Sequence, residues 1–235
     1  LLDGLVFCMA PLDGTSSPNY DLTGRGNTLT KGGSGAVGIG GNPAGGNAPA
    51  GNGPSVDYEL SNSQYHYRAS TGDCDFRNTS CTFNSFIKLE TAAIQAQIMG
   101  SGQYGNPTIQ LYVDVSVFRF LFSYNFGSVV QATGGSPSTN WQMVTGRVDR
   151  RSSTDLRVRL FVDGAPVDVE YTGTNDLQAD VTGNFSMGAR PALADWFFDG
   201  LMWQPSAWKR ALSDDEIKQL WNRGQGLAYP YYDAP

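Results

Sequence analysis

Hydrophobic and polar positions alternate along most of this chain. In "LRVRLFVDG", Leu156, Val158, Leu160 and Val162 point one way and Arg157, Arg159 and Phe161 the other. That is the period of a strand with one core face and one partly wet face. "GLVFCMA" at 4–10 predicts an opening strand, and closely spaced turn signals follow it. After residue 54 the same period returns in "SVDYEL", "QYHYRA", "CTFNSFIKL", "AQIMGS", "TIQLYVDV", "VFRFLFSY", "SVVQAT", "WQMVTGRVD", "APVDVEY", "NFSMGAR" and "FFDGLMWQP". Each run is bounded by turn residues, and the repeated strand–helix spacing of a nucleotide-binding fold is missing. The pattern predicts an all-β chain, a two-sheet antiparallel jelly-roll sandwich.

One short C-terminal helix breaks the alternation. Ser213 begins an S-x-x-E capping box completed by Glu216, and Asp214 and Asp215 suit the positive end of a helix. Ile217, Leu220 and Trp221 then form an apolar stripe, and Gly224 is placed to turn the chain back. The spacing predicts one or two docked turns covering an end or an open edge of the sandwich, where Leu212 and Trp221 exclude water.

Composition modifies this picture in two places. Ten of the 29 glycines fall in "KGGSGAVGIGGNPAGGNAPAGNGP" at 31–54. The roughly thirty residues before it are too few for an independent core. The segment therefore reads as a surface excursion within a single domain at 1–235, or as a glycine-rich arm packed on a neighbour. At the other end, 227–235 closes in "YPYYDAP". It predicts an extended tail that packs on its own domain, another subunit or a distinct surface.

A net charge of -6, with both signs dispersed, leaves no basic patch and argues against a nucleic-acid partner. No apolar run of membrane-spanning length occurs, so membrane insertion is not expected. The chain begins at Leu1 and shows no signal peptide, which leaves export open. Cys8 reads as a small buried hydrophobe; Cys74 and Cys81, in "GDCDFRNTSC", could close as a local disulfide. Without a C-x-x-C pair or neighbouring histidines they do not read as a zinc site.

Several segments, in order, resemble one family. "LLDGLVFCMAPLDG" followed by "YDLTGRGNTLT" is similar to a first strand and its "D-x-x-G-x-G-N-x-L-T" turn, through Asp21, Gly24, Gly26, Asn27, Leu29 and Thr30. "CTFNSFIKLE" resembles an "F-S-x-W-V-K" strand with Phe86 in place of tryptophan. "WQMVTGRVD" and "LRVRLFVDGAPV" resemble a "W-x-x-V" strand and an "L-Y-V-D-G" hairpin, through Trp141, Val144, Phe161, Val162, Asp163 and Gly164. "FFDGLMWQPSAWKRALSDDEIKQLWNRGQG" is similar to "F-x-G-x-I-D-x-V-x-I-Y-x-R-A-L-S-x-x-E-I-x-x-L-Y-x-x-G", through Phe198, Gly200, Arg210, Ala211, Leu212, Ser213, Glu216, Ile217, Leu220 and Gly224. The chain thus resembles the laminin-G-like, or concanavalin A-like lectin/glucanase, jelly-roll domains of bacterial and phage surface proteins.

That resemblance implies binding more readily than catalysis. The "E-x-D-x-x-E" strand of sandwich-fold glucanases is missing, and neither a G-x-S-x-G elbow nor an H-E-x-x-H helix occurs. The pairs Asp73 with Asp75 and Asp57 with Glu59 are carboxylates on one face that lack an evident cleft. His66, the only histidine, reads as structural. No enzyme is expected, and a polysaccharide hydrolase is the least supported alternative. Relatives sometimes bind ligand through calcium, for which Asp21 with Asn27 is the local candidate; the competing reading has both hydrogen-bonding their own turn. Tyr104, Tyr124, Asn125 and Trp196 lie near turns and are the candidate sugar contacts. The expected role is a non-catalytic domain on a cell or virion surface, extracellular, recognising a glycan or a surface protein. The alternative is a structural phage protein, a capsid decoration or tail-associated component acting as a homo-oligomer.

Overall fold

The computed structural model describes residues 1–10, 20–34, 38–40, 55–69, 72–76, 78–102, 108–125, 128–152, 154–168, 170–173, 183–190 and 195–227. The early strands are β1 (Leu5–Ala10), β2 (Tyr20–Asp21), β3 (Thr30–Gly32), β4 (Gly38–Gly40), β5 (Ser55–Tyr58) and β6 (Tyr65–Ala69). The long central ones are β7 (Cys81–Leu89), β8 (Gln95–Gly102), β9 (Thr108–Asp114), β10 (Val117–Asn125), β11 (Ser128–Gly134), β12 (Gln142–Arg150) and β13 (Leu156–Val162). They are followed by β14 (Ala165–Pro166), β15 (Tyr171–Gly173), β16 (Asn184–Met187), β17 (Gly200–Trp208) and helix α1 (Asp214–Trp221).

These form two antiparallel sheets. The first runs β14-β13-β12-β7-β17-β1-β2, with β15 also on β13 and the β4–β5 pair attached to β17. The second runs β11-β10-β9-β8-β16-β6-β3. Between them lies one apolar core: Leu156, Val158 and Leu160 from the first sheet, Leu111, Val113, Phe118, Phe120 and Phe122 from the second. The alternation in "LRVRLFV" therefore points its aliphatic side to the core, as its period requires. Gly146 on β12 shows how close the sheets come: a Cβ there would lie 2.2 Å from the Phe120 ring. The jelly-roll expectation holds.

The other face of the first sheet is not wet. Leu5, Phe86, Met143, Phe161, Trp203 and Trp208 form a second apolar cluster with Leu212, Ile217 and Leu220 of the helix segment. Helix α1 therefore lies across the outward face of this sheet rather than capping an end or an edge. Arg147 and Arg159 stack on Phe161 at 5.1 and 5.6 Å, and both bind the Asp214 carboxylate at the helix start, at 2.6 and 3.2 Å. Arg147 of "GRVDR" and Arg159 of "LRVRL" thus serve as the helix's anchors.

The capping box is complete: Ser213 accepts from the Glu216 N–H, and Glu216 accepts from the Ser213 N–H at 2.8 Å. The helix ends earlier than its glycine suggests, because Asn222, at φ 44°, is the left-handed cap and Gly224 only follows. Asparagine tolerates that conformation better than most residues. Asp163 and Gly164, at φ 54° and 75°, make the tight hairpin turn expected of D-G. Cys8, Cys74 and Cys81 are all buried free thiols, so the Cys74–Cys81 disulfide is not formed. Strand "FFDGLMWQP" starts later and runs further than its pattern indicates, to Trp208. "APVDVEY" yields only the short β14 and β15. Most of the glycine-rich excursion and the tail from 228 lie outside the described residues.

Candidate functional site

The second sheet carries nothing like α1 on its outward face among the described residues, and its strand register arranges that face. Because Leu111 and Val113 point to the core, Tyr112 between them points out. One outward row runs Tyr67, Ser186, Gly100, Gln110, Leu121 and Gln131. The next contains Gln97, Tyr112, Arg119 and Thr133, with Tyr65 at the near edge.

The aromatic part is built on β6. In "YHY", His66 turns inward, where Nδ1 meets the Tyr58 hydroxyl at 2.8 Å, so Tyr65 and Tyr67 turn outward together. Their rings lie 5.6 Å apart, and Tyr65 also approaches Phe197 at 6.3 Å. Tyr65 lies flat across Gly32 of β3, where a Cβ would fall 2.2 Å from the ring. A glycine on the partner strand is what lets the ring settle on the backbone. Both tyrosines are half-buried.

Beside them the face is polar without being charged. Gln97, Ser186 and Gln110 are buried, and the Gln97 amide donates to the Ser186 hydroxyl at 2.9 Å. The Gln97 Oε1 has no hydrogen-bond partner among the described residues. Further along stands Trp196, held at φ 54° and touching Tyr112 at 5.1 Å. The Arg190 guanidinium stacks 3.6 Å from the centre of the Trp196 ring and is bound by both oxygens of Asp195. Trp196 therefore offers ligand an edge beside an ion pair, whereas Tyr65 and Tyr67 offer ring surface. Burial pushes the Tyr112 phenol above its ordinary value, so it stays a neutral donor.

Of the expected sugar contacts, Trp196 alone has a described side chain. Tyr124 and Asn125 close β10, but their side chains, like all of Tyr104, lie outside the described residues. Tyr65 and Tyr67 are not among those expected contacts, although alternation around an inward histidine marks them.

A second cluster could hold a cation. Asp57 on β5, Glu59 just beyond it and Glu90 after β7 bring one carboxylate oxygen each within 4.8 Å of one another. Two oxygens bound to one calcium ion are at most about 5 Å apart, so the spacing fits a hard cation. Burial, then Glu59 and Asp199, holds the Asp57 carboxyl above its usual range; burial, then Asp199, Glu59 and Asp57, does the same for Glu90. Asp57 and Glu59 are the pair visible in "VDYEL"; the fold adds Glu90 and Asp199.

Asp21 and Asn27 are arranged differently. One Asp21 oxygen accepts from the Thr23 N–H at 3.0 Å, the other from the Asn27 N–H at 3.0 Å, and the Thr23 hydroxyl reaches both. Asn27 donates to the Val6 carbonyl at 2.6 Å. This is a clasp tying the turn to β1, the competing reading of the pair.

Comparison with known proteins agrees with the architecture. Among solved structures, the binding domain of Paraclostridial Mosquitocidal Protein 1 superimposes with a TM-score of 0.67 at 16% identity, over 94% of this chain and 52% of that one. The binding domain of botulinum neurotoxin DC, solved with rat synaptotagmin II, gives 0.64 at 10% identity, over 95% and 52%. Domain 4 of AbnA, a GH43 extracellular arabinanase from Geobacillus stearothermophilus, solved with arabinotriose, gives 0.62 at 14% identity, over 91% and 96%. This chain spans about half of the two toxin binding domains and nearly all of the arabinanase domain. At these identities the likeness is one of fold. No curated protein matches the chain. A family profile, the Concanavalin A-like lectin/glucanases superfamily, matches residues 62–218, which is more than half of the sequence. The chain belongs to that superfamily.

Proposed function

We propose that this domain is a non-catalytic carbohydrate-binding module, acting outside the cell, that holds its glycan on the outward face of the second sheet. The observation that carries the reading is the Tyr65–Tyr67 platform, two half-buried rings on that face; Gln97, Ser186 and Gln110 beside them are buried and neutral, so the rings are what a ligand meets first. Sugar rings present apolar C–H faces and a rim of hydroxyls, so they need aromatic surface next to neutral hydrogen-bonding groups. The superfamily membership supports the reading, as does the arabinotriose bound to the arabinanase domain of the same fold. Among the described residues the close carboxylates, Asp57, Glu59 and Glu90, cluster around the start and end of strands in the other sheet. Among the described residues, the carboxylates on the aromatic face, Asp114 and Asp195, are each paired with an arginine rather than set against one another as acid and base.

The test is a glycan array followed by titration of the best binder. Tyr67→Ala should weaken binding about tenfold, the loss of one stacking contact, with the melting curve preserved. Binding unaffected by Tyr65→Ala and Tyr67→Ala would move the site off this face. The described residues include no helix long and apolar enough to cross a membrane, which leaves strands unaddressed.

A further inference from the structure

Resting on the glycan reading, we infer that the site selects neutral sugars and rejects sialylated or uronic ones. Acidic sugars are ordinarily recognised by an arginine or lysine whose charge the protein has not already neutralised. Here the charged side chains that the described residues bring to the face are matched. Arg119 binds Asp114 at 2.8 Å, and Arg190 binds Asp195 through two hydrogen bonds of 2.8 and 2.5 Å.

In the first pair the two partners are exposed comparably, Arg119 at 33% and Asp114 at 23%, so the pair beside Trp196 gives the direction. The Arg190 side chain is 9% exposed, whereas that of Asp195 is 41% exposed. Arg190 is turned down onto the Trp196 ring, so a ligand arriving beside Trp196 meets the carboxylate rather than the guanidinium. A sugar carboxylate would lose water against a like charge, and capturing Arg190 would require displacing Asp195. The half-buried rings of Tyr65 and Tyr67 suit C–H faces, and the buried residues next to them, Gln97, Gln110, Ser186 and Tyr112, add no charge. Arg190 is in this account a positioning residue: it holds Trp196 and contributes no charge to the ligand.

The experiment is an array in which each neutral oligosaccharide is printed beside its sialylated counterpart, probed with the full chain and with Asp195→Asn. The wild-type chain should prefer the neutral member by about tenfold or more, the cost of one uncompensated charge contact. Asp195→Asn removes the exposed carboxylate that the ligand meets and should shrink that preference several-fold, chiefly through better binding of the sialylated member. The Arg190–Asp195 backbone bridge is retained in this variant, and thermal melting reports whether it folds. Should that variant not fold, the wild-type ratio and its dependence on salt decide alone. Equal or stronger binding of sialylated glycans by the wild type overturns the neutral selectivity while leaving the glycan reading intact. Silence on every printed glycan overturns the glycan reading, and this inference with it.

Discussion

His66 provides the sharpest prediction about stability. The imidazole is 1% exposed, bonded to Tyr58 and edge-on to its ring at 5.6 Å. Burial, helped by the nearby Lys31 charge, pushes its pKa down from 6.5 to about 4. The unfolded chain therefore binds a proton more readily between pH 6.5 and 4 than the folded chain does. Stability from the neutral buried ring is fully present above pH 6.5 and falls as pH drops through that window. A gap of roughly 2.5 pH units at about 1.36 kcal/mol each comes to about 3 kcal/mol. Asp57, Glu90, Asp163 and Asp168, held above their ordinary values chiefly by burial, oppose this trend, because folding favours their protonation. His66→Asn keeps an acceptor near the Tyr58 hydroxyl, removes the titration and leaves those carboxylates in place. Urea unfolding of both chains at intervals from pH 7 to 4 should show the wild type losing about 3 kcal/mol more than the variant. Parallel pH profiles would refute the reasoning, since the ring would then accept its proton inside the fold at no cost.

Two further outcomes follow from the local chemistry. Ser213→Ala removes the acceptor for the Glu216 N–H and should cost about 1 kcal/mol in urea unfolding. Asp57→Asn removes a half-buried member of the clustered carboxylates. In chelator at pH 7 it should raise the melting temperature, and the gain should fade in acid as the wild-type carboxyl takes up its proton.

Much of the sandwich is legible because a strand's period of two writes burial directly into the sequence. Leu156, Val158 and Leu160 enter the core as their spacing requires, and Ser213 with Glu216 caps the helix by local chemistry alone. The placement of α1 is different. Phe161, Phe86 and Trp203 look like members of any strand, and only their convergence from β13, β7 and β17 makes the apolar floor on which Ile217 and Leu220 rest. Arg147 and Arg159 look like a wet face until Asp214 arrives from more than fifty residues away.

The site was less readable for the same reason. Trp196 is visible as an aromatic near a turn, but its stacking on the buried Arg190 depends on a bridge between Arg190 and Asp195 that no period predicts. Tyr65 becomes a platform because Gly32 on another strand lets it lie flat. Glu90 and Asp199 join Asp57 and Glu59 only once β7 and β17 flank each other and β5. In each case the missing information is strand register.

The most direct measurement is the map of backbone amide shifts in an NMR titration with the best-binding neutral oligosaccharide from the array. The account predicts that the largest changes fall on Tyr65, Tyr67, Gln97, Ser186 and Tyr112, across the four neighbouring strands β6, β16, β8 and β9. Changes centred instead on the cleft between the Asp163–Gly164 turn and Lys218, Trp221 and Arg223 would contradict it and place binding on the helix side of the sandwich.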